Sequence, residues 1–278
     1  MRLDVKKTYK LFIGGQFPRS ESGRSYEITS PQGVFLANAA QASRKDLRDA
    51  VTAARSAFSN WSQATAFNRG QILYRIAELM EGRREQFIAE IVACEGVNAK
   101  KASDQVDAAI DLWVWYAGWC DKYISIAGSQ NPIAGPFYNF TTPEALGVIG
   151  AIADQKSSLV GLVQSIAPII TSGNSALVIA NEKSPLSAIT LSEVLATSDL
   201  HAGVVNILTG KVVELAPWLA SHMDVDGIDL SGISHKSDSE LKTLAAENLK
   251  RCHRFTGESL ERILAFTEMK TIWHPIGV

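Results

Sequence analysis

The chain has few cysteines and no apolar run long enough to cross a membrane. Its three cysteines, Cys94, Cys120 and Cys252, stand far apart in 278 residues and form no Cys-x-x-Cys pair. This spacing excludes a disulfide framework and a cysteine-based metal knuckle, and it is typical of a reducing compartment. The first residues also lack the charged, apolar and small-residue pattern of a secretory signal peptide. We therefore expect a cytoplasmic protein that does not enter a membrane.

An excess of charge of either sign is also missing. Lys and Arg number 27 against 29 Asp and Glu, which gives a formal net charge of −2 at pH 7. Nucleic-acid-binding proteins usually carry a basic stripe, so we expect no nucleic-acid partner. The five histidines have no metal-ligand spacing with carboxylates or thiols, which predicts no metal site. With 46% hydrophobic and 20% charged residues, the chain can form a sizeable globular core.

Residues 1–123 are predicted to form β-hairpins followed by helices. Short apolar or alternating segments separated by glycine turns indicate strands, and the apolar spacing becomes helical from Ser43 onwards. Ser43 is the type of residue that caps a helix N-terminus. The predicted strands are Lys10–Ile13, Ser25–Thr29 and Val34–Ala39, and the predicted helices start at Ser43, run from Asn68 to near Gly96, and run from Lys101 to Tyr123.

Residues 144–232 alternate between buried apolar strands and helices. Such alternation predicts βαβ units and a parallel sheet that is covered on both faces. The predicted strands are Leu146–Ala153, Ser175–Ile179, Val204–Leu208 and Gly227–Leu230, and the helices are Leu159–Thr171, Pro185–Leu195 and Val212–His222. We expect this segment to form a doubly wound α/β domain.

Two segments outside this alternation are predicted to serve as an extended arm and a connection. Residues 124–143 are rich in glycine, proline and aromatic residues, which is typical of an extended arm. After Gly232 the alternation stops, and residues 233–278 are interpreted as a short linker helix at Glu240–Lys250 and a final strand at Thr267–Trp273.

Several stretches resemble those of NAD(P)-dependent aldehyde dehydrogenases and follow the order found in that family. They are GVIGAIADQKSSLVGLVQSIAPIITSGN at Gly147–Asn174, GVVNILTG at Gly203–Gly210 and ASHMDVDGIDLSG at Ala220–Gly232. The opening LFIGGQF and the closing LERILAFTEMKTIWHPIG are similar to the family's N-terminal hairpin and C-terminal strand. The resemblance implies a Rossmann-like cofactor fold with N-terminal helices and a β-arm that serves oligomerisation.

The family's catalytic groups have no counterpart in this chain. The family's Pro-Trp-Asn is replaced by Asp154-Gln155-Lys156, and its asparagine donates a hydrogen bond to the reacting oxyanion. Losing such a donor typically costs ~10²–10³ in rate. The segments with the general-base glutamate and the nucleophilic cysteine are absent, and the catalytic domain would be inserted between Gly232 and Leu260. Because hydride transfer in this family requires a thiohemiacetal, we assign no catalytic residue.

The resemblance also assigns the cofactor contacts, and some of them have been lost. The family's ribose-binding lysine is replaced by Ile179, whereas Glu182 is retained. A carboxylate at this position accepts hydrogen bonds from ribose hydroxyls and repels a 2′-phosphate, so NAD is favoured over NADP. We expect NAD binding to be weak or lost. The assigned cofactor-binding residues are Ile152, Glu182, Gly210, Ser231 and Gly232.

Simpler interpretations remain open for several of these side chains. Glu182 also fits a surface carboxylate at a helix entry, and Lys156 fits a solvated loop lysine better than a Schiff-base lysine. Cys252 lies between basic residues that could lower its pKa, but sequence neighbours on a helix point in different directions. Cys94 and Cys120 fit apolar helix faces and are expected in the core.

The leading functional hypothesis is a non-catalytic aldehyde dehydrogenase family member, a pseudoenzyme. It would assemble through the β-arm with a full-length aldehyde dehydrogenase paralogue, or with itself, and stabilise or regulate that partner. One alternative is an NAD-dependent oxidoreductase that acts on an aldehyde only with a partner subunit. A second alternative is a nucleotide-binding module.

Overall fold

The computed structural model describes Leu3 and residues 6–277, and its N-terminal part is a small three-stranded sheet. The strands are β1 (Thr8–Tyr9), β2 (Ser25–Thr29) and β3 (Phe35–Ala40), in the order β1-β3-β2. The predicted strand at Lys10–Ile13 forms only isolated bridges, and the regular pairing with β3 lies at Thr8 and Tyr9 instead. Phe12 instead exchanges two backbone hydrogen bonds with Ile207, at 2.8 and 3.0 Å, which ties this segment to the main sheet.

Five helices follow, and the first begins at the predicted cap. They are α1 (Arg44–Gln63), α2 (Ala66–Glu81), α3 (Arg84–Glu95), α4 (Ala99–Trp119) and α5 (Tyr123–Ala127). The Ser43 hydroxyl accepts a hydrogen bond from the Asp46 N–H at 3.2 Å, and the Asp46 carboxylate accepts one from the Ser43 N–H at 2.7 Å. This reciprocal pair satisfies two backbone donors that the helix cannot satisfy itself.

The single long helix predicted from Asn68 to Gly96 is two helices. Thr65, not Asn68, caps α2, and its hydroxyl accepts a hydrogen bond from the Asn68 N–H at 3.2 Å. A turn at Gly82 and Arg83 separates α2 from α3. Arg83 then forms an ion pair with Glu193 at 2.5 Å, so a contact with a distant helix stabilises the break.

A five-stranded parallel sheet forms the centre of the molecule. Its strands are β6 (Val148–Ile152), β7 (Ser175–Ile179), β8 (Val205–Leu208), β9 (Gly227–Asp229) and β10 (Arg251–His253). The crossover helices are α6 (Val160–Thr171), α7 (Leu186–Leu195), α8 (Val212–Ser221) and α9 (Asp238–Ala246). The strand order is β10-β9-β6-β7-β8, so the direction of winding reverses between β6 and β9.

Strand β10 was not predicted, and residues 233–278 are therefore more than a linker and a final strand. Arg251, Cys252 and His253 pair in parallel with Gly227, Ile228 and Asp229 of β9. The strand has only three residues and is flanked by charges, so it gives no apolar run. Cys252 consequently lies on a strand, and its interpretation as a helical residue is wrong.

Alternate side chains of the parallel strands pack into two separate hydrophobic layers. Ile149 and Val178 face the layer formed with α2–α4, α6 and α7. Ile152 and Leu177 face the layer formed with α1, α8 and α9. Helices thus cover both faces of the sheet, which is the doubly wound architecture expected from the sequence.

The arm is a second three-stranded sheet that is separate from the parallel sheet. The short helix α10 (Glu261–Leu264) precedes its last strand. The arm strands are β4 (Ser129–Gln130), β5 (Phe137–Ala145) and β11 (Thr267–Pro275), in the order β11-β5-β4. Because α5 extends to Ala127, the arm begins later than predicted, and β5 continues two residues beyond 143.

Candidate functional site

The five predicted cofactor-binding residues lie together at one edge of the parallel sheet. Ile152 is the last residue of β6, and Glu182 follows the end of β7 by three residues. Gly210 follows the end of β8, and Ser231 and Gly232 follow the end of β9. Ligands of doubly wound sheets bind outside the carboxyl ends of the strands, where the winding reverses. This carboxyl edge is therefore the candidate site.

Gly232 is in direct contact with the end of β6. Its N–H donates to the Ile152 carbonyl oxygen at 3.1 Å. A Cβ atom at this position would lie 2.1 Å from the Ala153 carbonyl oxygen and 2.2 Å from that of Ile152. Only glycine can approach the neighbouring backbone so closely, and this close approach holds β9 and β6 together at the switch point.

The Glu182 carboxylate already has partners within the protein. Its Oε2 accepts a hydrogen bond from the Val212 N–H at 3.0 Å, in the first turn of α8. Its Oε1 lies 3.8 Å from the Lys211 Nζ. A carboxylate is favourable at a helix N-terminus, because unpaired N–H groups carry partial positive charge there. Glu182 therefore lies at a helix entry, as one interpretation of the sequence had it. The helix is α8, and not α7, which begins directly after Pro185.

The Ser231 hydroxyl also has hydrogen-bond partners within the protein, on the β9 side of the carboxyl edge. Its hydroxyl is within hydrogen-bonding contact of Asp229 Oδ1, and it accepts a hydrogen bond from the Phe255 N–H at 2.9 Å. Asp229 forms a buried ion pair with Arg262 at 3.2 Å. Burial raises the pKa of the Asp229 carboxyl, while Arg262 and Ser231 act in the opposite direction.

The loop after β6, where the family has Pro-Trp-Asn, is tied to the loop after β7. The Gln155 side chain donates to the Ala153 carbonyl oxygen at 2.7 Å and accepts from the Glu182 N–H at 2.9 Å. Asn181 donates to the Asp154 carbonyl oxygen at 3.2 Å. Lys156 is exposed in this loop, as expected for a solvated lysine. At Lys156, the position of the family's asparagine, this loop therefore has no side-chain donor that hydrogen bonds hold toward the carboxyl edge.

Tyr26 is a residue of this edge that the sequence did not indicate. Its hydroxyl oxygen is buried and has no hydrogen-bond partner among the described residues. Burial raises the pKa of the Tyr26 hydroxyl, and the nearby Glu182 carboxylate raises it further. Tyr26 belongs to strand β2, which is far from residue 182 in the sequence. No local pattern could therefore predict that Tyr26 and Glu182 are neighbours.

Burial raises the pKa of all three cysteine thiols. Burial raises the pKa of Cys94 to about 12 and that of Cys120 to about 11, in agreement with their expected core positions. Burial also raises the pKa of Cys252, and this effect outweighs the basic residues Lys242 and Lys250, which lower it. Because only the thiolate is nucleophilic, burial disfavours the reactive form of each of these thiols.

Other features of the described residues do not add to this edge. No group of three or more His, Cys, Asp or Glu side chains could hold a metal ion in the described part of the chain. A cavity of about 940 Å³ lies along α2 and α4, but none of its lining residues belongs to the predicted set. Among the helices described, none has both the length and the apolarity to span a bilayer.

Comparison with known proteins identifies the family. A model of the aldehyde dehydrogenase family matches residues 17–259. Cytosolic 10-formyltetrahydrofolate dehydrogenase of Xenopus laevis is 32% identical over 257 residues, which cover 90% of this chain and 28% of the relative. Retinal dehydrogenase 2 of Gallus gallus is 32% identical over 260 residues, covering 90% of this chain and 49% of the relative.

A solved structure agrees with the sequence comparison. The NAD⁺ complex of an aldehyde dehydrogenase from Bacillus cereus aligns with a TM-score of 0.84 and 28% identity, covering 88% of this chain and 50% of that chain. The present chain spans 28% to 50% of the length of the three relatives described here. The family match continues through α9 and β10 to residue 259. The sequence analysis placed the end of the correspondence directly after Gly232, and the family match shows that it lies later. The chain belongs to the aldehyde dehydrogenase family.

Proposed function

We propose that this chain is a non-catalytic member of the aldehyde dehydrogenase family that assembles through its arm with a full-length aldehyde dehydrogenase and stabilises or regulates it. The observation that carries the proposal is a contrast within the molecule. The arm is a complete sheet with exposed aromatic side chains, among them Trp273 at 59% exposure. The carboxyl edge, by comparison, has neither an activated thiol nor a fixed oxyanion donor.

The internal partners at the carboxyl edge support weak or absent NAD binding. A ribose that bound to Glu182 would compete with the Val212 N–H and with Lys211. A pyrophosphate that accepted a hydrogen bond from the Ser231 hydroxyl would compete with the Asp229 carboxylate, which accepts that hydrogen bond now. Each displaced hydrogen bond subtracts from the binding free energy, because a typical protein hydrogen bond contributes about 0.5–1.5 kcal/mol. NAD is still the cofactor that the family and the carboxylate at position 182 favour.

Co-purification tests the assembly. A full-length aldehyde dehydrogenase from the same organism should co-elute with this chain in size-exclusion chromatography, and Trp273→Ser should reduce the complex at least tenfold. Trp115→Ser is the matched control, because Trp115 is also exposed, at 37%, but lies on α4 outside the arm. A chain that never co-elutes, or that loses the complex equally with both variants, would refute the proposal.

Two further measurements separate this role from catalysis and from nucleotide binding. NADH formation from short aldehydes should be absent with the chain alone, and adding the chain should change the partner's rate or thermal stability without a new activity. Calorimetric titration should detect no heat with millimolar NAD. A saturable signal that Glu182→Ala abolishes would instead support a nucleotide-binding module.

A further inference from the structure

A cavity of about 630 Å³ lies where the start of α2 meets α5 and the arm sheet. Phe58, Ile124 and Pro143 give it an apolar side, and the charged residues among those that line it are Arg69 and Glu144. None of the five predicted cofactor-binding residues lines it. The cavity is therefore separate from the carboxyl edge.

Arg69 is the buried cation of this cavity, and part of its guanidinium has no partner. The residue is only 4% exposed. Its Nε donates to the Thr171 carbonyl oxygen at 3.2 Å, and its Nη1 donates to the Ala64 carbonyl oxygen at 2.5 Å. Its Nη2 donates to no described residue, yet it is not sealed from solvent. Because Arg69 lines the cavity, this nitrogen is left to face it.

A comparison with Arg262 shows what Arg69 lacks. Arg262 is equally buried, at 4% exposure, and it also donates to two backbone carbonyl oxygens. In addition it has the Asp229 carboxylate at 3.2 Å. Arg69 has two carbonyl oxygens at helix ends, which carry only partial charge, and no carboxylate partner in the described part of the chain. A buried charge without a counterion is unfavourable, so an anion that enters the cavity would be stabilised there.

Glu144 does not supply the missing negative charge. Its Oε1 accepts a hydrogen bond from the Lys270 Nζ at 2.9 Å, across the pair of strands β5 and β11. Both side chains of this ion pair are at least half exposed, so water solvates the pair as well. The Glu144 carboxylate therefore has its own partner in the arm and makes no hydrogen bond to Arg69.

The start of α2 contributes a second donor on the same side of the helix. Thr65 caps α2, and Ala66 is its first residue. The Ala66 N–H has no hydrogen-bond partner among the described residues, and Ala66 lines the cavity. Residues three apart lie on one face of a helix, so Ala66 and Arg69 are neighbours. Unpaired N–H groups at the start of a 16-residue helix favour an anion.

We infer that this cavity binds a small organic carboxylate, whose oxygen atoms accept hydrogen bonds from the Arg69 Nη2 and the Ala66 N–H. Hydrogen bonds between a guanidinium and a carboxylate are charge-assisted and stronger than neutral ones. The apolar part of the ligand packs against Phe58, Ile124 and Pro143. The inference goes beyond the proposed function, because it concerns neither the carboxyl edge nor the assembly of the arm.

The charge of the cavity favours a carboxylate over a phosphate. One positive charge without a carboxylate partner faces the cavity, and a carboxylate carries one negative charge. A phosphate ester carries about −1.5 to −2 at pH 7, which would leave excess negative charge in a cavity that Glu144 also lines. A monocarboxylate with an aromatic or aliphatic body therefore matches both the charge and the apolar side.

Calorimetric titration of the full chain tests the site, with benzoate as the probe. Benzoate should give a saturable heat at millimolar concentration. Benzyl alcohol keeps the ring without the charge, and inorganic phosphate keeps a charge without the ring. We expect both to bind roughly tenfold more weakly or less, as for the loss of one charged hydrogen bond or of the apolar contact. Chloride at the same ionic strength controls for screening.

Two arginines on the same helix provide the main variant and its control. Arg69→Gln should lower the affinity for benzoate by roughly tenfold or more, because it removes the charge that faces the cavity. Arg75→Gln is the matched control, since the Arg75 side chain is 52% exposed on α2 and does not line the cavity. This control should bind benzoate as the wild type does.

Ala66→Pro removes the second donor and keeps Arg69. Proline is favoured at the first position of a helix, and Thr65 before it has the extended backbone that proline requires, with ψ at 148°. The variant should fold, which circular dichroism checks, and should bind benzoate roughly threefold more weakly or less.

Three results would overturn the inference. They are a wild type without saturable heat, phosphate binding at least as tightly as benzoate, and a folded Arg69→Gln variant with wild-type affinity. If Arg69→Gln does not fold, unchanged affinity in Ala66→Pro would overturn the inference instead. None of these results bears on the co-purification test.

Discussion

Close approach of two backbone segments explains the requirement for glycine at position 232. Its missing Cβ lets the chain after β9 lie against the carbonyl oxygens that end β6, and backbone atoms cannot move aside as a flexible side chain can. The same contact lies at the carboxyl edge, between the ends of β6 and β9. One residue thus connects the close packing of two strands to the shape of the candidate site.

Gly232→Ala should therefore destabilise the protein by at least about 3 kcal/mol, because the new Cβ forces two strand ends apart. Urea unfolding monitored by circular dichroism measures the change. Gly118→Ala is the control: this exposed helical glycine has no atom within 4 Å of a built Cβ. It should gain about 0.5–1 kcal/mol from its better helix propensity. Similar stabilities for both variants would contradict the close-approach argument.

The buried ion pair between Arg262 and Asp229 is the second residue-scale feature. Both side chains are almost fully buried, and Arg262 also donates to the Gly257 carbonyl oxygen at 2.6 Å and to that of Gln164 at 3.1 Å. The guanidinium therefore joins α10 to the end of β9 and to α6. This side chain therefore helps to hold the chain after β10 against the parallel sheet.

Arg262→Met should cost about 3–5 kcal/mol, because it leaves an uncompensated buried carboxylate. Adding Asp229→Asn should recover part of this loss by removing the charge. Thermal or chemical unfolding of the two variants measures both changes. Lys100→Met is the control, since Lys100 and Asp104 form an exposed pair that contributes less than about 1 kcal/mol. A double variant less stable than Arg262→Met would contradict the explanation.

At the scale of single elements, the ends of helices follow local side-chain chemistry. Ser43 begins α1 as expected, because its capping box involves residues only three positions apart. Glu182 accepts a hydrogen bond from the first N–H of α8, although it lies thirty positions earlier in the chain. No local sequence pattern predicts such a contact. Near neighbours in sequence are therefore predictable as caps, whereas distant ones are not.

Ser43→Ala should destabilise the protein by about 1 kcal/mol, because the Asp46 N–H in the first turn of α1 loses its acceptor. Ser56→Ala is the matched control on the same helix: Ser56 is exposed and its hydroxyl bonds only to the Thr52 carbonyl oxygen. That variant should be neutral or slightly stabilising. Equal losses for both serines would indicate that helix propensity, and not capping, sets the stability of α1.

For the whole molecule, a buried carboxyl group joins three separate parts. Glu90 on α3 accepts hydrogen bonds from Tyr9 on β1 at 3.1 Å and from Thr190 on α7 at 2.7 Å. Its other carboxylate oxygen is buried without a hydrogen-bond partner among the described residues. Burial raises the pKa of Glu90 above its ordinary value of 4.5, although its hydrogen bonds oppose the shift.

A raised pKa means that the folded state binds the proton more tightly than the unfolded state. The contribution of Glu90 to stability is therefore full below pH 4.5 and is lost as pH rises through the folded-state pKa. Glu90→Gln keeps the acceptor oxygen and removes the titration. Its free energy of unfolding should be higher relative to wild type at pH 7 than at pH 4. A difference that is constant with pH would contradict this assignment.

The family, the doubly wound core and the position of the candidate site all follow from residue patterns along the chain. Apolar strands alternating with helices require a parallel sheet, and a parallel sheet gathers its carboxyl ends at one edge. That topology alone brings Ile152, Glu182, Gly210, Ser231 and Gly232 together. Short-range chemistry also fixed the start of α1, and apolar periodicity placed β7 and most of the crossover helices.

Long-range contacts, in contrast, set which of these residues already have hydrogen-bond partners and how the short elements form. β10 exists because β9 offers it a hydrogen-bonding edge, the break after α2 faces Glu193 on α7, and the Ser231 hydroxyl contacts Phe255 across the sheet edge. Each depends on a contact between residues far apart in the chain. Local propensity and periodicity depend only on nearby residues. The interactions that stabilise β10, the break after α2 and the Ser231–Phe255 contact therefore cannot be predicted from any short stretch of sequence.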